Sequence, residues 1–341
     1  DVVGRLPEFQ KTYAQGSGGV FSTTSGTSWG PKISELPNDA TYGGNTDNEY
    51  TQKFGKQQGK YYVPQRAAAG LDPWATPQAY DNAKDFFDTG ITWSNSLNVA
   101  QMLEKSSYSI SLGNTHQDGI ISSTGMDRYN VKVSADTKLT NNWSSGFTAN
   151  YITTSIDKAV TSGNGLLRTV YAAPPSYDLA GIPSHVDGNQ YTQNSFRGSF
   201  DNAYWAMDNN KFTEDTNRFF GNVYASYQTD FGTTNHKLNA KYMVGVDAYT
   251  THYVDSYGYG SNTGGGRGQI ENYGWTNATY NSLLTINYDW HINEDWGLNA
   301  VLGNEIIQSN RKKYYEYGTN YNFPGWNHIN NATTQQTEEE T

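Results

Sequence analysis

Tyr129-Asn130-Val131-Lys132-Val133-Ser134-Ala135-Asp136, followed after a few residues by Trp143-Ser144-Ser145-Gly146-Phe147-Thr148-Ala149-Asn150-Tyr151, is the stretch whose reading decides the fold. Tyr129, Val131, Val133, Ala135 and Leu139 fall on one face, and Asn130, Lys132, Ser134, Asp136 and Lys138 on the other. After Thr140-Asn141-Asn142 the alternation restarts with Trp143, Phe147, Ala149 and Tyr151 against Ser144, Gly146, Thr148 and Asn150. Successive side chains of a strand point to opposite faces, so this is two strands joined by a tight turn.

The design recurs downstream. Gly221, Val223, Ala225 and Tyr227 alternate with polar residues. Leu238, Ala240, Tyr242, Val244, Val246 and Ala248 do the same after a connection near 230–236. Tyr280, Leu284, Ile286, Tyr288 and Trp290 form a third such run, followed beyond 291–295 by Trp296, Leu298, Ala300, Leu302 and Ile306. An earlier pair runs near Leu97 to Leu103 and Tyr108 to Leu112. Connections alternate too: short near 104–106, 140–142, 230–236 and 291–295, long near 114–127, 154–216, 251–278 and from 309 onward. Another long irregular stretch covers about 15–90. This gives eight strands, with a ninth near Arg5 to Tyr13. Short turns at one end and long loops at the other are the habit of outer-membrane barrels, and strands of ~12 residues suit a tilted membrane strand. The expected fold class is therefore all-β, an antiparallel transmembrane β-barrel.

Composition narrows the chemistry. The chain has 341 residues, a net charge of −10, only 16% charged residues, 14% aromatics, 35 glycines and no cysteine. Its mean hydropathy is −0.76. Without cysteine there are no disulfides, zinc–cysteine sites or iron–sulfur clusters. The acidic balance argues against nucleic acid as a partner. No apolar run approaches the ~18 residues of a membrane helix, whereas a barrel strand needs an apolar residue only at every second position. Trp143, Tyr227, Phe231, Trp290 and Trp296 gather at strand ends beside the short turns, as in a membrane-interface girdle.

Several motifs in order resemble the SusC/RagA family of TonB-dependent outer-membrane transporters. They are Leu6-Pro7-Glu8-Phe9-Gln10 with the glycine-rich Gly16 to Gly19, Ser28-Trp29-Gly30-Pro31, Asn82 to Gly90, Ser109 to Gly113, Ala173-Pro174-Pro175-Ser176-Tyr177-Asp178-Leu179, Asn202-Ala203-Tyr204-Trp205 and Asn217-Arg218-Phe219. The resemblance implies a large barrel, of 22 strands in such transporters, with residues 1–341 as a partial barrel domain. The plug, the TonB box and the barrel C-terminus are expected outside this chain. It also implies a bacterial outer-membrane location and import of oligosaccharides or peptides. The implied partners are the lipid bilayer, TonB and a SusD-like surface lipoprotein. No cofactor and no catalysis follow. Flat rings on long loops suit sugar or peptide ligands, so Tyr171, Tyr177, Tyr204, Trp205, Tyr257, Tyr259 and Trp326 are candidate substrate contacts. A passive porin or adhesin barrel shares the strand pattern. A soluble glycan-binding module or glycosidase would be the reading if the alternation served a core; a glycosidase needs paired carboxylates, and none stands out.

Gly26-Thr27-Ser28-Trp29-Gly30 fits a nucleophile elbow by letter. It lacks the strand before and the helix after, because Pro31 follows. The histidines at 116, 185, 236, 252, 291 and 328 show no metal-ligand spacing. Asp85 and Asp88 read as loop carboxylates, and Gly264 to Gly268 lacks the lysine of a phosphate loop.

Overall fold

The computed structural model describes residues 6–160, 165–232 and 235–340. Arg5, positions 161–164 in the longest connection and 233–234 in a short turn lie outside them. Nine strands form one antiparallel meander: β1 Thr92–Met102, β2 Ser106–Asp118, β3 Gly125–Lys138, β4 Trp143–Asp157, β5 Lys211–Phe231, β6 His236–Tyr257, β7 Gln269–His291, β8 Gly297–Tyr321 and β9 Ala332–Glu340. Each strand pairs with its neighbour in the chain without a break in register. The sheet is open, with β1 along one margin and β9 beside only the upper part of β8.

Because the register is continuous, side chains can be followed across the sheet in rows. Val99, Ile110, Val133, Ala149, Gly221, Val246 and Tyr280 form one row. Leu97, Leu112, Val131, Tyr151, Phe219, Ala248 and Ala278 form the next. These side chains cover no core: Val223 is 53% exposed and Leu302 67%. A contiguous apolar face of this extent is stable only where something covers it. The other face carries Lys132, Thr148, Asn150, Asn222, Asp247, Thr279 and Asn281 around a groove of about 730 Å³. There Arg218 donates to both Asp247 oxygens, at 2.8 and 2.5 Å. Gly146 is open on this face because the Tyr224 ring lies over it, its hydroxyl donating to Asp136 at 2.6 Å; a Cβ at Gly146 would meet that ring at 2.8 Å.

The strands outrun the expectation of ~12 residues drawn from membrane thickness: β5, β6, β7 and β8 run 21, 22, 23 and 25 residues. The long connections shrink accordingly, to 119–124, 258–268 and 322–331. Beyond Phe219, Ala248 and Ala278, the formerly apolar face continues as the row Asn217, Thr250, Thr276, Lys312. With polar residues on both faces, this upper part is built for water. The ninth strand is also displaced. No sheet strand forms over residues 6–13; Phe9 instead stacks on Tyr171 at 5.9 Å. The ninth strand is β9, in the stretch read from sequence as a terminal loop.

The segment 6–91 ahead of β1 and the described residues of the connection 158–210 fold onto each other at the long-loop end. Their shared core holds Leu36, Tyr61, Phe86, Val170, Leu179, Phe196 and Trp205. Short helices frame it: α1 Glu49–Phe54, α2 Pro64–Ala68, α3 Asn82–Phe86, α4 Leu166–Ala172 and α5 Ala203–Asn209. Asn48 caps α1 through a capping box with Thr51, and Asn202 caps α5. Buried amides tie the two segments together. Asn82 Nδ2 donates to the carbonyls of Pro174 and Tyr177, and its Oδ1 accepts from Leu179 N. Gln15 Nε2 donates to Phe196 O, and Asn194 Nδ2 to Gln65 O. Irregular backbone is buried here at little cost because amide side chains supply both donors and acceptors.

Candidate functional site

The polar face of the sheet above the apolar band, beneath the edge of the loop layer, concentrates chemistry. Three adjacent rows cross β5 to β9 there. The middle one reads Glu214, Tyr253, Tyr273, Tyr315, Glu338. The row nearer the loops reads Phe212, Asp255, Glu271, Tyr317, Gln336, and the row nearer the band Thr216, Thr251, Trp275, Lys313, Glu340. Tyr253 and Tyr273 stack at 4.9 Å with planes 6° apart, and Tyr315 follows 6.5 Å from Tyr273. Trp275 lies 5.5 Å from Tyr253.

Charge is unevenly distributed over these rings. Lys158 Nζ sits 4.6 Å above the Tyr253 ring and 3.4 Å from Glu214. Arg311 lies over Trp275 at 4.9 Å, and Lys313 pairs with Glu340 at 2.9 Å. Asp255 and Glu271 face each other directly across strands. Among the described residues neither forms an ion pair. Tyr273 donates to Asp255 Oδ2 at 3.0 Å. Burial, and then the neighbouring Asp255, raises the Glu271 carboxyl above the usual carboxylate range. Burial, with the bond to Asp255, pushes the Tyr273 phenol up to about 12. A cavity of about 400 Å³ opens next to this wall, between Lys158, Phe212 and Tyr257 of the sheet side and Leu166, Ala206 and Met207 of α4 and α5.

The seven aromatic candidates read from sequence do not converge. Tyr257 borders the cavity, edge-on to Phe212 at 5.2 Å. Tyr171 borders a separate small cleft with Phe9 and Tyr80. Trp326 is exposed, stacked between Phe323 and His328. Tyr204 is half-buried, edge-on to Phe86, and Tyr259 packs beside Ile270, Tyr321 and Ala332. Tyr177 and Trp205 are buried in the core of the loop layer, Trp205 with its indole N–H donating to Gln190 O at 2.9 Å. Core rings of this kind offer no face to a ligand. The tyrosine wall, by contrast, leaves no apolar pattern in the sequence, because the apolar alternation fades above residue 248. The aromatic alternation persists there, as Tyr253 and Tyr257, Tyr273 and Trp275, Tyr315 and Tyr317, and was the available signal.

The girdle residues lie on the apolar face or at the turns. Trp143 packs on Tyr227 at 5.0 Å. Phe231 and Trp290 flank His236 at 5.2 and 5.4 Å. Trp296 is 69% exposed in the β7–β8 turn. At the opposite margin of the apolar band stand Tyr129, Tyr151, Phe219 and Tyr280, a second line of rings. Ser28 does not sit on an elbow: it bridges to Gly16, and the next regular element is a 3₁₀ turn at Ile33–Asn38. Among the described residues no group of three or more His, Asp or Glu side chains is placed to hold a metal ion.

No family model and no curated protein matches the chain. Among solved structures it is similar to the RagAB peptide importer in its closed-closed state and to the RagAB peptide transporter, each with a TM-score of 0.61 and 16% identity over 77% of this chain. It is also similar to the open-open state of the same importer, with a TM-score of 0.59 and 15% identity. The chain spans 30% of the length of the chains it matches. At this identity the likeness establishes the fold: an open segment of a large antiparallel barrel wall with its loops.

Proposed function

We propose that this chain forms part of the barrel wall and the extracellular loop layer of a TonB-dependent outer-membrane importer for peptides or oligosaccharides. The observation that carries the reading is the apolar band on one face of the sheet. It is bordered by Trp143, Tyr227, Phe231 and Trp290 on one side and by Tyr129, Tyr151, Phe219 and Tyr280 on the other, and the opposite face is mainly polar, with Phe220, Met243 and Ile307 set among Lys132, Asn150, Asn222 and Asp247 along its groove. Such a wall faces lipid outward and water inward, with the rings at the two interfaces.

On this reading residues 1–341 are a partial barrel domain. Unpaired strand edges do not persist in hydrocarbon, so β1 and the lower part of β8 pair with further strands of the whole protein. A plug and TonB box outside this chain would couple uptake to the inner membrane. A SusD-like lipoprotein would cover the loop layer. The chain's own residues shape a passage and make no bonds. The structural likeness to a peptide importer supports the transport class.

The test is to express the whole protein in cells with and without functional TonB, and to follow uptake of labelled peptides and oligosaccharides. The expected result is a detergent-requiring protein whose gel mobility shifts on boiling and whose uptake stops without TonB. Solubility without detergent refutes the membrane placement. TonB-independent uptake refutes the energised mechanism in favour of a porin.

A further inference from the structure

We propose that the tyrosine wall above the apolar band binds the cationic side chain of a passing peptide, its ammonium or guanidinium held between Asp255 and Glu271 and against the rings of Tyr273 and Tyr315. This rests on the import reading and names the substrate class for it.

Three observations converge. First, the wall contains an uncompensated like-charge pair. Asp255 and Glu271 stand directly opposite in register, an arrangement that destabilises a sheet unless a counter-charge joins it. Every cation on the wall is engaged elsewhere: Lys158 with Glu214, Lys313 with Glu340, and Arg218, lower down, with Asp247. Arg311 lies over Trp275. Second, the carboxylates are framed by rings from three consecutive strands, two of them stacked nearly parallel. Ring faces attract cations through their quadrupole, most strongly where water is partly excluded. Third, the chain's own cations already use these faces, Lys158 over Tyr253 and Arg311 over Trp275. An incoming ammonium therefore meets a surface whose rings accept cations and whose carboxylates lack one. A neutral sugar would leave the facing carboxylates uncompensated, and an acidic peptide would add to their repulsion. The cavity beside Phe212 and Tyr257 gives space for the rest of the peptide.

The experiment uses the whole protein in detergent and three hexapeptides that differ at one position: lysine, norleucine or glutamate. The expected result is binding of the lysine peptide about tenfold tighter than the norleucine peptide, and weaker still binding of the glutamate peptide. The D255N/E271Q variant should erase the lysine preference, so that the lysine and norleucine peptides bind alike. Asp255→Asn alone, with its boiling-dependent gel shift intact, guards against a folding defect and should reduce the preference. Equal binding of lysine and norleucine peptides overturns the proposal while the import reading stands. Binding of no peptide together with TonB-dependent oligosaccharide uptake overturns the proposal and the peptide class but not the importer. Absence of any TonB-dependent uptake overturns the import reading itself.

Discussion

Replacing Val223 by arginine places a charge at mid-height of the apolar band, and its cost measures whether that band faces lipid. Val223 pairs with Phe147 on β4 and Val244 on β6, and all three are exposed on the apolar face. Its strand carries Phe219 in the upper line of rings and Tyr227 in the lower. Each is four residues away, which at ~3.3 Å per residue and a ~45° tilt is roughly 9 Å of depth on either side. That puts Val223 near the bilayer midplane, where an arginine costs about 2–4 kcal/mol. Asn222 is its immediate neighbour on the opposite, groove-lining face, where an arginine meets water and should change stability by no more than about 0.5 kcal/mol. Asn217, beyond Phe219 on the Val223 side, should cost about 0–1 kcal/mol. The assay is reversible denaturant unfolding of the whole protein in phospholipid vesicles, comparing V223R, N217R and N222R. A soluble sheet with the same pattern would show no dependence on distance from the rings. Equal costs at 222 and 223, or a V223R variant as stable as the parent, would refute the argument.

The loop layer and the rim give three further tests. Tyr177 is 3% exposed and its hydroxyl has no hydrogen-bond partner among the described residues, so Tyr177→Phe should stabilise the protein by about 1 kcal/mol or more, read as a raised unfolding midpoint of the loop layer; a loss of stability would contradict it. Asn82→Ala removes three hydrogen bonds to buried backbone and should cost about 2–5 kcal/mol, read as protease sensitivity of 6–91 without loss of the detergent-resistant barrel. His116 on β2 bridges Asp127 at 2.8 Å and Asp118 at 3.3 Å, which only the doubly protonated ring can serve as donor to both. The hydrogen bond and charge of Asp127 raise its pKa, so the clasp is complete below the ordinary histidine range and is lost as pH rises through the raised value. A histidine-resolved NMR titration should place His116 above the usual range, with Asp127→Asn lowering it, and an unshifted midpoint would contradict the clasp.

How much was legible depended on which solvent each residue meets. On the proposed membrane reading, one face meets hydrocarbon and the other water between the two lines of rings, so period-2 apolar patterning is enforced there, and the eight strand centres were readable from it. Above Phe219, Ala248 and Ala278 both faces meet water, so the patterning loses its cause while backbone pairing continues. Strand ends and the tyrosine wall were therefore invisible to an apolar count. The strand β9 carries Thr, Gln and Glu almost throughout; it exists because β8 offers an edge, with Lys313 and Glu340 in register. Residues 6–13 alternate weakly and contain Pro7, and their apolar Leu6 and Phe9 pack against the loop-layer core, Phe9 on Tyr171, instead of joining the sheet. In the loops the sequence carries no period at all. Tyr177 and Trp205 looked like ligand contacts because an aromatic ring on a long polar loop is ambiguous until the loop's own core is known.

That core also explains why the resemblance was readable where the candidate site was not. Asn82, Pro174, Ser176, Tyr177, Leu179, Asn202 and Trp205, drawn from motifs far apart in sequence, meet in one layer. Ser176 accepts from Gln15 N and Tyr61 donates to Ser176 O, while Asn202 donates to Asn194 O. Each of these is a demand of packing and backbone satisfaction, which a fold imposes regardless of cargo. The composition follows from it: burying long irregular backbone calls for amides and hydroxyls, since a charge in their place would cost several kcal/mol unpaired. The facing pair Asp255 and Glu271 answers to no such demand. It lies in regular, fully paired strands, where asparagine and glutamine would satisfy the ladder equally well and remove the repulsion. A feature that the fold does not require, and that costs the sheet stability, is where selection by a ligand should be sought.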